Sequence, residues 1–284
     1  MEVLYGSSIF CTVEKVHGDM IIAKSNLVST DYEAEARIRA GLTTFIIQSA
    51  GWNIFRSPGG TLNGGREEVG LKGIEAYFQA GRDLKQVLGD EGGGWPRELM
   101  SECVRGIIQS ETFIQVERGY LTPQSYDDYW KDFYKGSCRY FSNLDRISIE
   151  WGEYVNGQDY AGGNVRQRGL YSKNSSCTVC RRGDGGFTAI GSFIDSFHEI
   201  GIVISMTADG IVTDCTGNLL RAPDRVCTEN QRHLELLLGK KIAGLSKKDV
   251  AAVAGGPQGC IHLVDIIYDL GRAAEFAMQR CRQD

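Results

Sequence analysis

The sequence predicts an α+β fold built from two tandem copies of one antiparallel-sheet-plus-helices module, arranged as a pseudo-dimer. Three observations carry this. Residues 11–58 are echoed at low identity by residues 177–223. Strand-like runs precede helix-like runs in each half, without the strand–helix alternation of a parallel sheet. The chain has 284 residues with 42% hydrophobic content, enough for about two domains with cores of their own.

The repeat is read in register. Cys11-Thr12-Val13 recurs as Cys177-Thr178-Val179, a shift of 166 residues that also pairs Ala23 with Ala189, Glu33 with Glu199 and Ile38 with Ile204. After one deletion, Asn53-Ile54-Phe55-Arg56-Ser57-Pro58 answers Asn218-Leu219-Leu220-Arg221-Ala222-Pro223 at a shift of 165. Tyr32 stands where the second copy has His198, and residues 94–99 stand roughly where it has 259–263. The division expected is a degenerate scaffold repeat over 1–118, an aromatic-rich connecting segment over 119–170 and a site-bearing repeat over 171–284.

In the first copy, strands are expected over Ile9–Val13, Met20–Ser29, Ala34–Arg39 and Thr44–Phe55. In the second they are expected over Phe187–Ile194, Glu199–Met206 and Gly210–Leu220. There the alternation of Ile200, Ile202 and Ile204 is the clearest period-two signal, and Ala208-Asp209-Gly210 marks a turn. Val69, Leu71, Ile74, Phe78, Leu84 and Leu88 recur at helical spacing, as do Leu263, Ile266, Ile267, Leu270, Ala274 and Ala277. Thr122-Pro123 opens a short amphipathic helix over the run Tyr126–Tyr134, with proline near its first turn. The stretch Gly152–Gly169 reads as a mobile connection or a pocket lid.

Composition narrows the function. The net charge is −5, and no lysine- or arginine-rich stripe offers a footprint for nucleic acid. No apolar run reaches the roughly 18 residues of a membrane span, and no charged-then-apolar leader opens the chain, so a cytoplasmic protein without a membrane partner is expected. Phosphate-binding, dinucleotide-binding and nucleophile-elbow glycine motifs are missing, which argues against nucleotide cofactors and serine hydrolysis. Nine cysteines in a reducing compartment read as buried apolar residues, metal ligands or nucleophiles. Cys103, Cys138, Cys215 and Cys281 fit the first reading. Cys177-Thr178-Val179-Cys180 has no second C-x-x-C and no thioredoxin-like context, and the role of this pair stays open.

The sharpest local signal is Gly255-Gly256-Pro257-Gln258-Gly259-Cys260-Ile261-His262-Leu263, a glycine-rich loop running into an apolar helix. Cys260 and His262 point to different sides of a regular helix and converge only if Cys260 lies at or before its first turn. Thiolate and imidazole together suit zinc or iron, so His198, Cys227, Cys260 and His262 form the expected ligand set. Glu199, Cys260 and His262 are the candidate catalytic groups, with Glu199 moving a proton. Arg221 and Arg225 are the candidate partners of a substrate carboxylate.

The second copy resembles the bacterial domain-of-unknown-function family numbered 2889. The residues that carry the likeness are Cys177, Arg181-Arg182-Gly183-Asp184-Gly185-Gly186, Ile194-Asp195, His198-Glu199, Arg225-Val226-Cys227, Leu238-Gly239 and Gly259-Cys260-Ile261-His262-Leu263, over about residues 175–277. Glu199 replaces the family's aspartate and Ile261 its threonine, and the candidate ligands stay in place. The resemblance implies an association with the breakdown of aromatic and acyl compounds. A fainter likeness to iron–sulfur scaffold proteins of the NifU type rests on a cysteine after the last strand (Cys227), Gly239-Lys240 and a Cys/His pair opening the final helix; it implies that these groups converge at one end of the sheet.

The leading expectation is a metal-dependent enzyme, of lyase or hydrolase type, acting on a small carbonyl-containing or aromatic substrate in a catabolic pathway. One alternative is a non-catalytic carrier of metal or an iron–sulfur cluster, or an accessory subunit. The other is a cofactor-free enzyme with Cys260 as nucleophile and His262 or His198 as base. A homo-oligomer or a partner subunit is compatible with each.

Overall fold

The computed structural model describes residues 1–155, 166 and 168–282. It is an α+β protein dominated by antiparallel pairing. The described strands are β1 (Glu2–Val16), β2 (Met20–Ser29), β3 (Glu33–Gly41), β4 (Ile47–Arg56), β5 (Gly64–Glu67), β6 (Gly169–Arg181), β7 (Phe187–Asp195), β8 (Glu199–Met206) and β9 (Val212–Arg221). The described α-helices are α1 (Ala80–Leu88), α2 (Trp95–Ser110), α3 (Pro123–Phe133), α4 (Arg139–Ser142), α5 (Trp151–Val155), α6 (Arg225–Thr228), α7 (Lys247–Ala254) and α8 (Ile261–Arg280).

The chain forms two compact units. The N-terminal unit comprises Ser8–Pro123 and the described residues of 163–174, with strand order β5-β4-β3-β2-β1-β6. Its helix α2 packs on β2 and β3, burying Leu99, Met100, Cys103 and Ile107. Gly106 allows close approach there, because an added Cβ would sit 2.9 Å from Val13 and 3.1 Å from the Cys11 sulfur. Below it, the buried Lys173 ammonium pairs with Glu102, which Arg105 also holds. A charge pair in such a place is stabilising only because each partner is satisfied.

The C-terminal unit comprises Met1–Ser7 and the described residues of 124–162 and 175–284, with strand order β1-β6-β7-β8-β9. On β7 the buried row Phe187, Ala189, Gly191, Phe193, Asp195 faces α8, and on β8 the matching row is Ile200, Ile202, Ile204, Met206. Alternation of side chains along a strand makes these rows, and the helical repeat of Leu263, Ile266, Ile267, Leu270, Ala274 and Ala277 makes the face that covers them. A Cβ on Gly191 would lie 2.9 Å from Leu270 and 3.0 Å from Ile266, so glycine there sets how closely α8 lies on β7.

The two units share local detail. The β3–β4 ladder is irregular between Glu33 and Ala34 and between Arg39 and Ala40; the β8–β9 ladder is irregular between Glu199 and Ile200 and between Ser205 and Met206. Isolated bridges Ile46–Glu75 and Ile211–Lys241 follow in the same places. Turn bonds from Gly41 N to Ile46 O and from Thr207 N to Ile211 O correspond as well.

Some elements differ from expectation. The helical pattern over Val69–Leu88 becomes α1 alone, preceded by a single 3-10 turn at Val69–Leu71. Gly73, at φ +89°, breaks the run before it can propagate. The strand expected from Thr44 starts at Ile47, because Phe45 takes φ +55° in the turn. Strand β6 begins at Gly169, where the glycine-rich composition had suggested a mobile connection; Gly152 lies in α5, and most of the intervening stretch falls outside the described residues. Residues 124–155 do not stand apart as a connecting segment. Arg139 donates its backbone N–H to Gly259 and its guanidinium to Gln258 O, Glu229 and Asn230, which fastens α4 to the glycine-rich loop.

Candidate metal centre

Asp195 ends β7 and starts a four-residue turn into β8. Its side chain is fully buried, and its Oδ1 accepts backbone N–H bonds from Phe197 at 2.7 Å and His198 at 2.5 Å. An aspartate three residues before the histidine is what this turn requires, since a short acceptor can reach back to both N–H groups. The same carboxylate faces two imidazoles. His198 Nδ1 is 3.1 Å from Oδ1 and 3.4 Å from Oδ2, and His262 Nε2 is 3.9 Å from Oδ2. The two rings lie against each other with centroids 3.9 Å apart and planes tilted by 32°, and Phe193 flanks His262 at 5.2 Å.

Asp195, His198 and His262 each offer one ligand atom, and these atoms all lie within 4.8 Å of one another. Burial pushes the Asp195 carboxyl up, but the charges and hydrogen bonds of His198, together with His262 and the Phe197 N–H, outweigh it and hold the group below the usual carboxylate range. An ionised carboxylate beside two imidazoles in a largely buried setting is a donor set for a divalent cation of the zinc and iron class.

Helix α8 delivers His262. The loop ahead of it folds back on α7, with Cys260 N donating to Ala254 O at 2.8 Å. Only glycine fits at 259, since a Cβ there would meet the Ala254 and Gly255 carbonyls at 2.3 Å. Cys260 takes the N-cap position with extended backbone, so it and His262 do converge, Sγ to Nδ1 at 3.9 Å.

The expected ligand set is therefore divided. His198 and His262 meet, with Asp195 as the third member in place of a cysteine. Cys260 touches the far nitrogen of His262, and burial pushes its thiol up to about 12. Cys227, buried at the start of α6, lies close enough to Cys260 and Cys138 to feel their charge; burial first, and these neighbours second, push its thiol up. Burial favours the neutral form of both thiols, and neither belongs to the Asp195–His198–His262 group. All nine cysteines are free, and Cys177 and Cys180 sit three residues apart on β6, a spacing that sends side chains to opposite faces of a strand.

Glu199 opens β8 in the half-exposed row opposite the one that α8 covers, so it stands on the other face of the sheet from His262. Arg221 turns its guanidinium onto the backbone of the turn: Nη1 to Ser196 O at 2.9 Å, Nη2 to Asp195 O at 2.6 Å and to His198 O at 3.2 Å. Arg225 begins α6, is exposed, and with Arg221, Tyr154, Leu219 and Pro223 lines a cleft of about 520 Å³. Asp224 anchors that rim by accepting from Val226 N, Ser148 N and Ile149 N.

The N-terminal unit has a similar turn with other side chains. Ser29 Oγ accepts from Asp31 N and Tyr32 N, as Asp195 Oδ1 does from Phe197 N and His198 N. Arg56 donates to the carbonyls of Ser29, Thr30 and Tyr32, as Arg221 does to those of Asp195, Ser196 and His198. Tyr32 there lies against Trp95, at the start of α2, with ring centroids 5.6 Å apart. Asp195 as a site residue escaped the sequence reading. Its signal was present in the register, where an acid replaces Ser29.

No helix among the described residues is long and apolar enough to cross a membrane. No curated protein and no solved structure gives a match. Residues 177–276, which contain the whole Asp195–His198–His262 cluster, match the family model described as a protein of unknown function (DUF2889).

Proposed function

We propose that the C-terminal unit binds one zinc or ferrous ion through Asp195, His198 and His262, and that the chain is a metal-dependent enzyme acting on a small carbonyl-containing or aromatic substrate. The single observation that carries this is the convergence of one carboxylate and two imidazoles within 4.8 Å. Donors about 2.1 Å from an ion stand roughly 3.0–3.5 Å apart at octahedral to tetrahedral angles. The Asp195–His198 separations of 3.1 and 3.4 Å already match, and the 3.9 Å between His262 and Asp195 closes with a small ring movement. Three protein ligands leave coordination positions for water and substrate, which is the pattern of a catalytic rather than a closed structural site. In that role the ion polarises a carbonyl oxygen or lowers the pKa of bound water.

Loading the purified chain with Co²⁺ tests the donor set. One equivalent bound without a thiolate charge-transfer band is expected, and lost in His262→Ala. A strong thiolate band would move the ligands to Cys260 and Cys227, and no binding at all would remove the metal. A second reading keeps the residues and drops the ion: the His198 Nδ1–Asp195 contact orients His198 as a general base. It predicts activity that survives exhaustive chelation.

The same reading extends to the origin of the chain. The matched ladder irregularities, bridges and arginine-clasped turns support a tandem duplication in which only the second copy carries ligands. Ser29 and Tyr32 stand opposite Asp195 and His198 at a shift of 166 residues, and residues 94–99 stand roughly opposite 259–263.

A further inference from the structure

We propose that Arg221 is a positioning residue for the metal centre, holding the two ligands of the Asp195–His198 turn in place, and is not the anchor of a substrate carboxylate. This rests on the metal reading above. Every backbone carbonyl of the turn is engaged. Arg221 takes those of Asp195, Ser196 and His198, the Tyr154 hydroxyl takes that of Phe197, and Asp195 N–H adds a second bond to His198 O. Two of the three residues that Arg221 grips also supply ligand atoms.

The planar guanidinium is suited to this because its fixed fork of donors can bridge carbonyls that diverge around a tight turn, whereas a single ammonium cannot span them. Both Nη atoms are engaged by the backbone of the turn, with Nη2 committed to two carbonyls, which leaves fewer donors for a substrate in the cleft that Arg221 borders. Groups that orient metal ligands without touching the ion typically contribute a factor of about 10–100 in affinity.

The N-terminal unit supplies an internal control. Arg56 grips the carbonyls of Ser29, Thr30 and Tyr32, where no cluster of potential ligands is found among the described residues. A purely structural clasp would give Arg56→Ala and Arg221→Ala the same consequences. Positioning separates them.

The experiment is a Co²⁺ titration of the full chain against a competing chelator, with fold checked by circular dichroism and urea midpoint. Arg221→Ala is expected to weaken Co²⁺ binding by about 10–100-fold, with partial recovery on adding guanidinium ion at sub-denaturing concentration. Arg56→Ala is expected to leave Co²⁺ affinity at the parent value while lowering the urea midpoint. If Arg221→Ala does not fold, Arg221→Gln, which keeps one amide donor, is expected to show an intermediate loss. Parent-like affinity in a folded Arg221 variant, or an equal loss in Arg56→Ala, overturns the assignment while the parent's own binding leaves the metal reading standing. A parent protein that binds no Co²⁺ overturns both.

Discussion

Replacing Asp195 in two different ways should separate scaffold from chemistry. The Asp195 side chain is closed to solvent, and its Oδ1 accepts two backbone N–H bonds, at 2.7 Å from Phe197 and 2.5 Å from His198, while Oδ2 faces the imidazoles. Asp195→Asn keeps an oxygen for both N–H groups and removes the charge that a cation needs. Stability should then change by no more than about 1 kcal/mol, the net worth of one ordinary hydrogen bond. Asp195→Ala leaves both N–H groups buried and unpaired, at about 1–3 kcal/mol each, or roughly 2–6 kcal/mol together. Urea unfolding at neutral pH measures the difference, and Co²⁺ titration of the same samples reads the site. Both variants should lose metal binding by at least about 100-fold, more than the loss of an orienting group, and only the alanine should lose stability. Parent-like metal affinity in Asp195→Asn, or equal destabilisation by both substitutions, would refute the reasoning.

Three further outcomes are expected. His198→Ala should abolish metal binding whereas Tyr32→Phe should leave it intact, measured by metal content after dialysis; the reverse would assign the site to the wrong half. Cys227→Ser should keep one bound ion per chain, because Cys227 lies outside the Asp195–His198–His262 group, and loss of the ion on elemental analysis would restore a thiolate set. Gly191→Val should destabilise by about 1–3 kcal/mol through overpacking, since even its Cβ would meet Leu270 at 2.9 Å. By lifting α8 it should also draw His262 from Asp195 and weaken metal binding; unaltered affinity in a destabilised protein would show that the loop before α8, rather than its seat on β7, places His262.

How much of this was legible beforehand follows from the range of the interactions. Alternation along Ile200, Ile202 and Ile204 and the helical spacing from Leu263 to Ala277 are local patterns, and each became the element it announced. The α+β class was legible for the same reason, as was the placement of Cys260 at the head of α8, where a glycine loop leaves a residue of extended backbone as the cap. The pairing of His198 with His262 was readable only as chemistry, because 64 residues separate them.

The sequence by itself determined which residues alternate, where glycine interrupts, and that His198 and His262 lie in the second half of the chain. Tertiary structure decided which side chains meet. Cys227, Glu199, Arg221 and Asp195 all stand near the same strand ends in sequence, and nothing local distinguishes a ligand from a prop. Packing of α8 on β7 accompanies the approach of His262 to the carboxylate of Asp195, pleat direction puts Glu199 on the opposite face, Cys227 lies outside the Asp195–His198–His262 group, and the turn carbonyls claim Arg221. Those outcomes depend on distances between segments far apart in the chain, which residue type and spacing do not encode.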